Sequence, residues 1–203
     1  DELILPFVEL KSEYYDLSLV NREATKDQVY FIEQNFKDYK CAGESAPVFW
    51  YKKTVSLLKS GDLESATWAL IKHKKTGEKF YVVNADLEKT AAADRKAAVN
   101  AILDKVAEMN TESLPVVLTG GLYMKPADPA MAEVETKMQN ARKSAPKTDN
   151  TGTYNNWGKN SDILDHICYS GFSECQEYQT VTKKYADRKF VSDHFPIMAL
   201  LVF

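Results

Sequence analysis

The chain has little that points to a membrane, to nucleic acid or to zinc. No stretch of its 203 residues approaches the ~18 consecutive apolar residues of a spanning helix, so a membrane span is excluded. Positive charge is not in excess: 26 Lys and Arg stand against 29 Asp and Glu, a net charge of −3, which removes the basic footprint of a general nucleic-acid binder. No long block of one sign occurs, and the Lys52-Lys53 and Lys183-Lys184 doublets read as solvated surface. Three cysteines at these separations make no zinc-ligand pattern. Cys168 and Cys175 flank a candidate hairpin loop; a disulfide there implies an oxidising compartment, two separate thiols imply nothing, and Cys41 is left over either way. No signal peptide is visible, but the chain starts at Asp1 without Met. An extracytoplasmic location follows only if a leader was removed and Cys168 pairs with Cys175.

What is present is one domain's worth of core, residues 1–203, at 44% hydrophobic content with no repeat or low-complexity linker. Residues 3–15 read as a short helix or irregular entry and 16–20 as a short strand. Apolar Val29, Ile32 and Phe36 predict a helix over 26–39. Residues 47–51 are β-branched and aromatic, hence a strand, with 54–58 as its hairpin partner. Strands 66–73 and 79–84 flank a turn containing Gly77. The clearest helix is 90–110, with Ala98, Ile102, Val106 and Met109 on one stripe. A buried strand over 114–119 is stopped by Gly120-Gly121, a second helix covers 129–141, and a polar loop over 144–160 carries Tyr154 and Trp157. Strands 163–169, 176–182 and 196–203 close the domain. Many short strands with few helices predict a sheet-rich α/β sandwich.

The most informative segment is the end, Ser192-Asp193-His194-Phe195-Pro196-Ile197, followed by the apolar run Met198-Ala199-Leu200-Leu201-Val202-Phe203. It places an Asp-His pair at the mouth of a buried strand. Upstream stand Ala66-Thr67-Trp68-Ala69, Val83-Asn84-Ala85-Asp86-Leu87-Glu88, Val117-Leu118-Thr119-Gly120-Gly121-Leu122-Tyr123 and Ile163-Leu164-Asp165-His166-Ile167. In this order and at these separations the segments resemble the endonuclease/exonuclease/phosphatase family, over roughly residues 16–203. The resemblance implies a deoxyribonuclease I-like α/β sandwich of two β-sheets flanked by helices. It also implies metal-dependent cleavage of phosphodiesters or phosphomonoesters, usually with Mg²⁺.

The resemblance carries over unevenly. His194 matches the family's phosphate-contacting histidine, Asp193 the acidic residue beside it, and Asp165 the carboxylate that orients the imidazole. Elsewhere the pattern departs. Val20-Asn21-Arg22-Glu23 puts Asn21 and Arg22 where the family has Gln-Glu, so a guanidinium replaces the metal-binding glutamate; Glu23 substitutes only through a one-residue slip that reverses its face. Asp86 replaces a functional histidine. Gly121 replaces the aspartate that activates water, and Tyr123 the asparagine that contacts phosphate. The family's first strand is absent or replaced, because only 15 residues precede the Asp16 strand. If it is absent, a sheet position is left unpaired, open to a partner strand or a second copy.

A general base is worth about 10²–10⁴ in rate and a preorganised electrostatic contact about 10²–10³, and groups acting as a unit are not additive. Losing several together predicts a catalytically impaired or inactive domain that serves as a binding or scaffold module without a cofactor. The alternative is a phosphodiesterase or phosphatase with a rebuilt site, in which Asp86, Glu88 and Asp193, with Glu23, hold Mg²⁺, Ca²⁺ or Mn²⁺. A third arrangement binds without catalysis. Arg22 with His194 holds a phosphorylated small molecule or protein partner, Asn84 and Tyr123 contribute, and Tyr123, Tyr154 and Trp157 form aromatic walls. The plainer role for Tyr154 and Trp157 is to pin their loop. His73 reads as surface, and His166 as a packed or hydrogen-bonded residue facing away from the site.

Overall fold

A computed structural model describes residues 7–10, 15–19, 37–43, 46–87, 90–182, 190 and 192–203. Its first four strands are β1 (Phe7–Leu10), β2 (Tyr15–Leu19), β3 (Tyr39–Ala42) and β4 (Val48–Tyr51). Three longer strands follow, β5 (Val55–Leu63), β6 (Ala66–His73) and β7 (Lys79–Asp86), and then helix α1 (Arg95–Met109). Beyond it come β8 (Val116–Gly121), α2 (Pro129–Lys137), the two-residue β9 (Gln139–Asn140) and the single turn α3 (Ala141–Ser144). The chain closes with β10 (Asp165–Ser170), β11 (Glu174–Thr180) and β12 (Ile197–Val202).

The strands form two six-stranded sheets, ordered β11-β12-β1-β2-β4-β3 and β5-β6-β7-β8-β10-β9. In the second, β7 and β8 run parallel and α1 is their crossover, which is why both strands are apolar on both faces. Phe80 and Val82 of β7 face the first sheet, where they meet Val48, Ile197, Ala199 and Leu201. Tyr81, Val83 and Ala85 alternate outward onto the helices. The helix stripe predicted through Ala98 and Met109 is rotated. Val99, Ile102, Leu103 and Val106 are the buried set of α1, with Ala98 and Met109 at its margin. On α2, Ala130, Met131 and Val134 complete the outer core.

Several sequence expectations need correction. Residues 7–10 form a strand, not a helix or irregular entry. β1 pairs parallel with β12 and antiparallel with β2, so strand pairing fills the sheet position that would stand unpaired were the first strand absent. Residues 54–58 do not pair back onto β4. β4 lies between β2 and β3, whereas β5 turns into the other sheet against β6. Cys168 and Cys175 are both free thiols, because β10 and β11 lie in different sheets and place them in different cores. Burial pushes the Cys168 thiol up to about 12 and the Cys175 thiol up to about 11. His73 is buried, and its Nδ1 accepts from the Thr76 backbone N–H. Most of the expected helix over 26–39 lies outside the described residues, but Tyr39 belongs to β3.

Candidate functional site

Strand alternation builds the site at one end of the inter-sheet layer. On β6, Ala69 and Ile71 face the first sheet, so Thr67 does too; on β7, Phe80 and Val82 carry the same face on to Asn84 and Asp86. By the same period of two, β8 presents Thr119 and Gly121 beyond Val117, and β10 presents Asp165 beyond Tyr169 and Ile167. The layer thus passes from apolar to polar at the ends of four strands, with Thr67, Asn84, Thr119 and Asp165 all buried. Register sets Gly121 between Asp86 on β7 and Asp165 on β10. A carboxylate at 121 would stand between two others. Glycine there places no charge between them.

The centre of the site is the imidazole of His194. Its Nδ1 lies 2.8 Å from Asp165 Oδ2, with the two side chains only 1% and 3% exposed. The carboxylate accepts from Nδ1–H and so fixes the orientation of the ring. Nε2 is met by the Tyr123 hydroxyl at 3.3 Å. The imidazole also lies between two phenol rings, with Tyr154 at 4.8 Å and Tyr123 at 5.8 Å between centroids. Tyr123 is held there by backbone. It adopts φ +54°, its N–H donates to Leu164 O, and Arg95 Nη1 donates to its carbonyl at 2.7 Å. The Arg95 guanidinium lies over the same ring, 5.5 Å from its centroid. A left-handed non-glycine residue costs conformational energy and persists only where its surroundings over-determine it.

Thr153 binds the two halves of the dyad. Its hydroxyl accepts from the backbone N–H groups of Leu164 and Asp165 at 3.0 Å each, and its carbonyl accepts from Phe195 N–H at 2.7 Å. The preceding Gly152 is required by close approach, since a β-carbon there would overlap the backbone carbonyl of Ser161. Asp193 contributes through its backbone: its carbonyl accepts from Asn155 and Asn156 N–H, while Asn155 Nδ2 reaches Ser192 O. Trp157 is left 48% exposed at the tip of this loop.

Of the residues singled out from the sequence, the fold brings together His194, Asp165, Tyr123 and Tyr154, with Asp193 beside them. Asn84 is fully buried, and its Nδ2 donates to the Pro47 carbonyl under the turn that enters β4. Asp86 is half-buried at the end of β7, where its N–H donates to Ser65 O. Arg22, Glu23 and Glu88 lie outside the described residues. Among the described residues no three His, Cys, Asp or Glu side chains converge to hold a metal. Asp165, moreover, is engaged by His194.

The superposition of this architecture on solved structures decides the fold. An endonuclease/exonuclease/phosphatase family protein from Bacteroides thetaiotaomicron matches with a TM-score of 0.75 at 19% identity, covering 84% of this chain and 78% of that one. The chain has the deoxyribonuclease I-like fold. A mannosyl-6-phosphatase from the same species matches with a TM-score of 0.74 at 20% identity over 87% of this chain and 82% of its own. D. rerio TDP2 complexed with a single-strand DNA product matches with a TM-score of 0.73 at 16% identity over 89% and 83%. No protein-family model matches the sequence. No curated protein matches it either.

In this deoxyribonuclease I-like chain, Thr153 and Arg95 are the site residues that sequence reasoning missed. Thr153 was one hydroxyl in a polar loop, and only the tertiary course of that loop puts it against Asp165. Arg95 opens a helix whose exposed face carries other charges, so nothing in the spacing separates it from them. His166 is oriented away from the site as its position on the strand requires. Burial lowers its pKa below the usual imidazole value, and the Nε2 contact to Met124 O at 2.7 Å opposes that only in part.

Proposed function

We propose that this chain is a catalytically inactive domain of the endonuclease/exonuclease/phosphatase type that serves as a binding module. The observation that carries this reading is the Tyr123 hydroxyl on His194 Nε2, the nitrogen that a phosphate oxygen would need, in a dyad buried from water. An imidazole already satisfied on both nitrogens has no free donor or acceptor for a substrate. Gly121 adds to the case, because the strand position nearest Asp165 carries no carboxylate to orient an attacking water. The module's partner is a phosphorylated small molecule or a protein.

The test is turnover. Phosphodiester and phosphomonoester substrates are assayed with Mg²⁺, Mn²⁺ and Ca²⁺, and the expected result is no hydrolysis above the uncatalysed rate. Turnover that His194→Ala abolishes would overturn the proposal.

A further inference from the structure

Tyr123 has a second face. Away from His194 its ring helps to line a pocket of about 530 Å³, together with Arg95, Lys125, Asp128, Asp162 and Leu164. The pocket is an open depression at the surface, so a ligand there would be held chiefly by its polar contacts. Two cations and two carboxylates stand around a floor that is aromatic and apolar, the composition of a site that holds a polar ring with a charged substituent.

The cations are held differently. Arg95 is anchored by two backbone carbonyls, Nε to Thr90 O at 3.1 Å and Nη1 to Tyr123 O at 2.7 Å. Nη2 has no partner among the described residues, so a guanidinium already fixed in place keeps donors in reserve at the pocket wall. Lys125 Nζ lies 2.9 Å from Asp162 Oδ1 with its side chain 62% exposed, and an ammonium has three donors. On the other side, Asp128 Oδ1 accepts from Ala130 N–H to cap α2, which commits that helix end to the protein's own carboxylate. The anionic end of a ligand therefore belongs with Arg95 and Lys125, and its hydroxyls with the remaining carboxylate oxygens of Asp128 and Asp162.

We infer that this pocket, on the outer side of the Tyr123 plug, binds a sugar monophosphate. The inference rests on the closed dyad proposed above, in which the Tyr123 hydroxyl occupies His194 Nε2. The plug that closes the old centre then becomes the floor of a new one.

Isothermal titration of the intact chain with glucose 6-phosphate, inorganic phosphate and glucose tests it. Glucose 6-phosphate is expected to bind at least about tenfold more tightly than either fragment. Lys125→Ala is expected to weaken it about tenfold without lowering the melting temperature, and Lys125→Arg to restore most of the loss, since residue 125 is largely exposed. Backbone amide shifts are expected to centre on residues 123–129 and 162–164. Three results would each overturn the assignment: no binding of glucose 6-phosphate, equal binding of inorganic phosphate alone, or shifts centred on residues 192–194. Each is read from binding and leaves the turnover assay to judge the inactive-domain proposal separately.

Discussion

Tyr123 and His194 are 71 positions apart in the chain, yet the phenol oxygen of one lies 3.3 Å from Nε2 of the other, on the opposite edge of the ring from Asp165. The contact engages the second nitrogen of an imidazole whose first nitrogen is held by Asp165, itself fixed by Thr153. It also explains why a tyrosine tolerates φ +54°: Leu164, Arg95 and His194 each fix a different part of it.

Tyr123→Gly is expected to unmask the imidazole. His73, His166 and His194 are all buried, so the native chain should resist acylation by diethyl pyrocarbonate. In the variant, mass spectrometry should find His194 modified at least about tenfold faster, because solvent reaches Nε2 and glycine adopts the same backbone conformation without strain. An unchanged rate would mean that the ring is not what closes the site.

Gly152→Ala is expected to destabilise the chain by about 1–3 kcal/mol, since the new methyl meets a backbone carbonyl that has no rotamer to escape into. Chemical denaturation measures the loss. The damage should reach the dyad through Thr153, so His194 in the variant should also exchange its ring proton faster.

Acidification has a definite sign at His166. Its folded pKa lies below the usual imidazole value because burial disfavours the charged form. The unfolded chain therefore binds more protons as pH falls below about 6.5, and stability is lost there on acidification. A denaturation midpoint that falls from pH 7 to pH 5, less steeply in His166→Gln, is the expected outcome. An identical slope in that variant would remove His166 as the cause.

Cys168 and Cys175 should both resist alkylation at pH 8 in the native state, as buried thiols pushed up to about 12 and about 11 carry almost no thiolate. The half-buried Cys41 is expected to react first. Mass mapping of iodoacetamide adducts checks the order.

Titration with Mg²⁺ is expected to leave the melting temperature unchanged, because a cation stabilises only a state that binds it. A shift that Asp86→Asn removes would instead favour a rebuilt metal site.

Much was decided along the chain itself. The two-sided apolar runs of β7 and β8, the turn at Gly77 and the terminal Asp-His pair at the mouth of β12 are local patterns with a period of two or a turn residue behind them. The placement of Asp165 behind His194 followed from motif order. The absence of side-chain chemistry at Gly121 and the phenol at Tyr123 were equally plain, since they concern residue identity alone.

Tertiary structure decided the rest, because those questions concern which surfaces meet. Residues 47–51 and 54–58 look like a hairpin, but their inward faces serve opposite sheets, so packing sends them apart. Cys168 and Cys175 are seven positions apart yet lie in separate cores for the same reason. Nothing local marks Phe7–Leu10 as the strand that fills a gap between β12 and β2, since its pairing energy comes from distant edges. The sequence by itself determined which chemical groups are available to this site. Only the fold decided that Tyr123 turns back onto His194, because a side chain's partner is set by the course of the backbone 71 residues away.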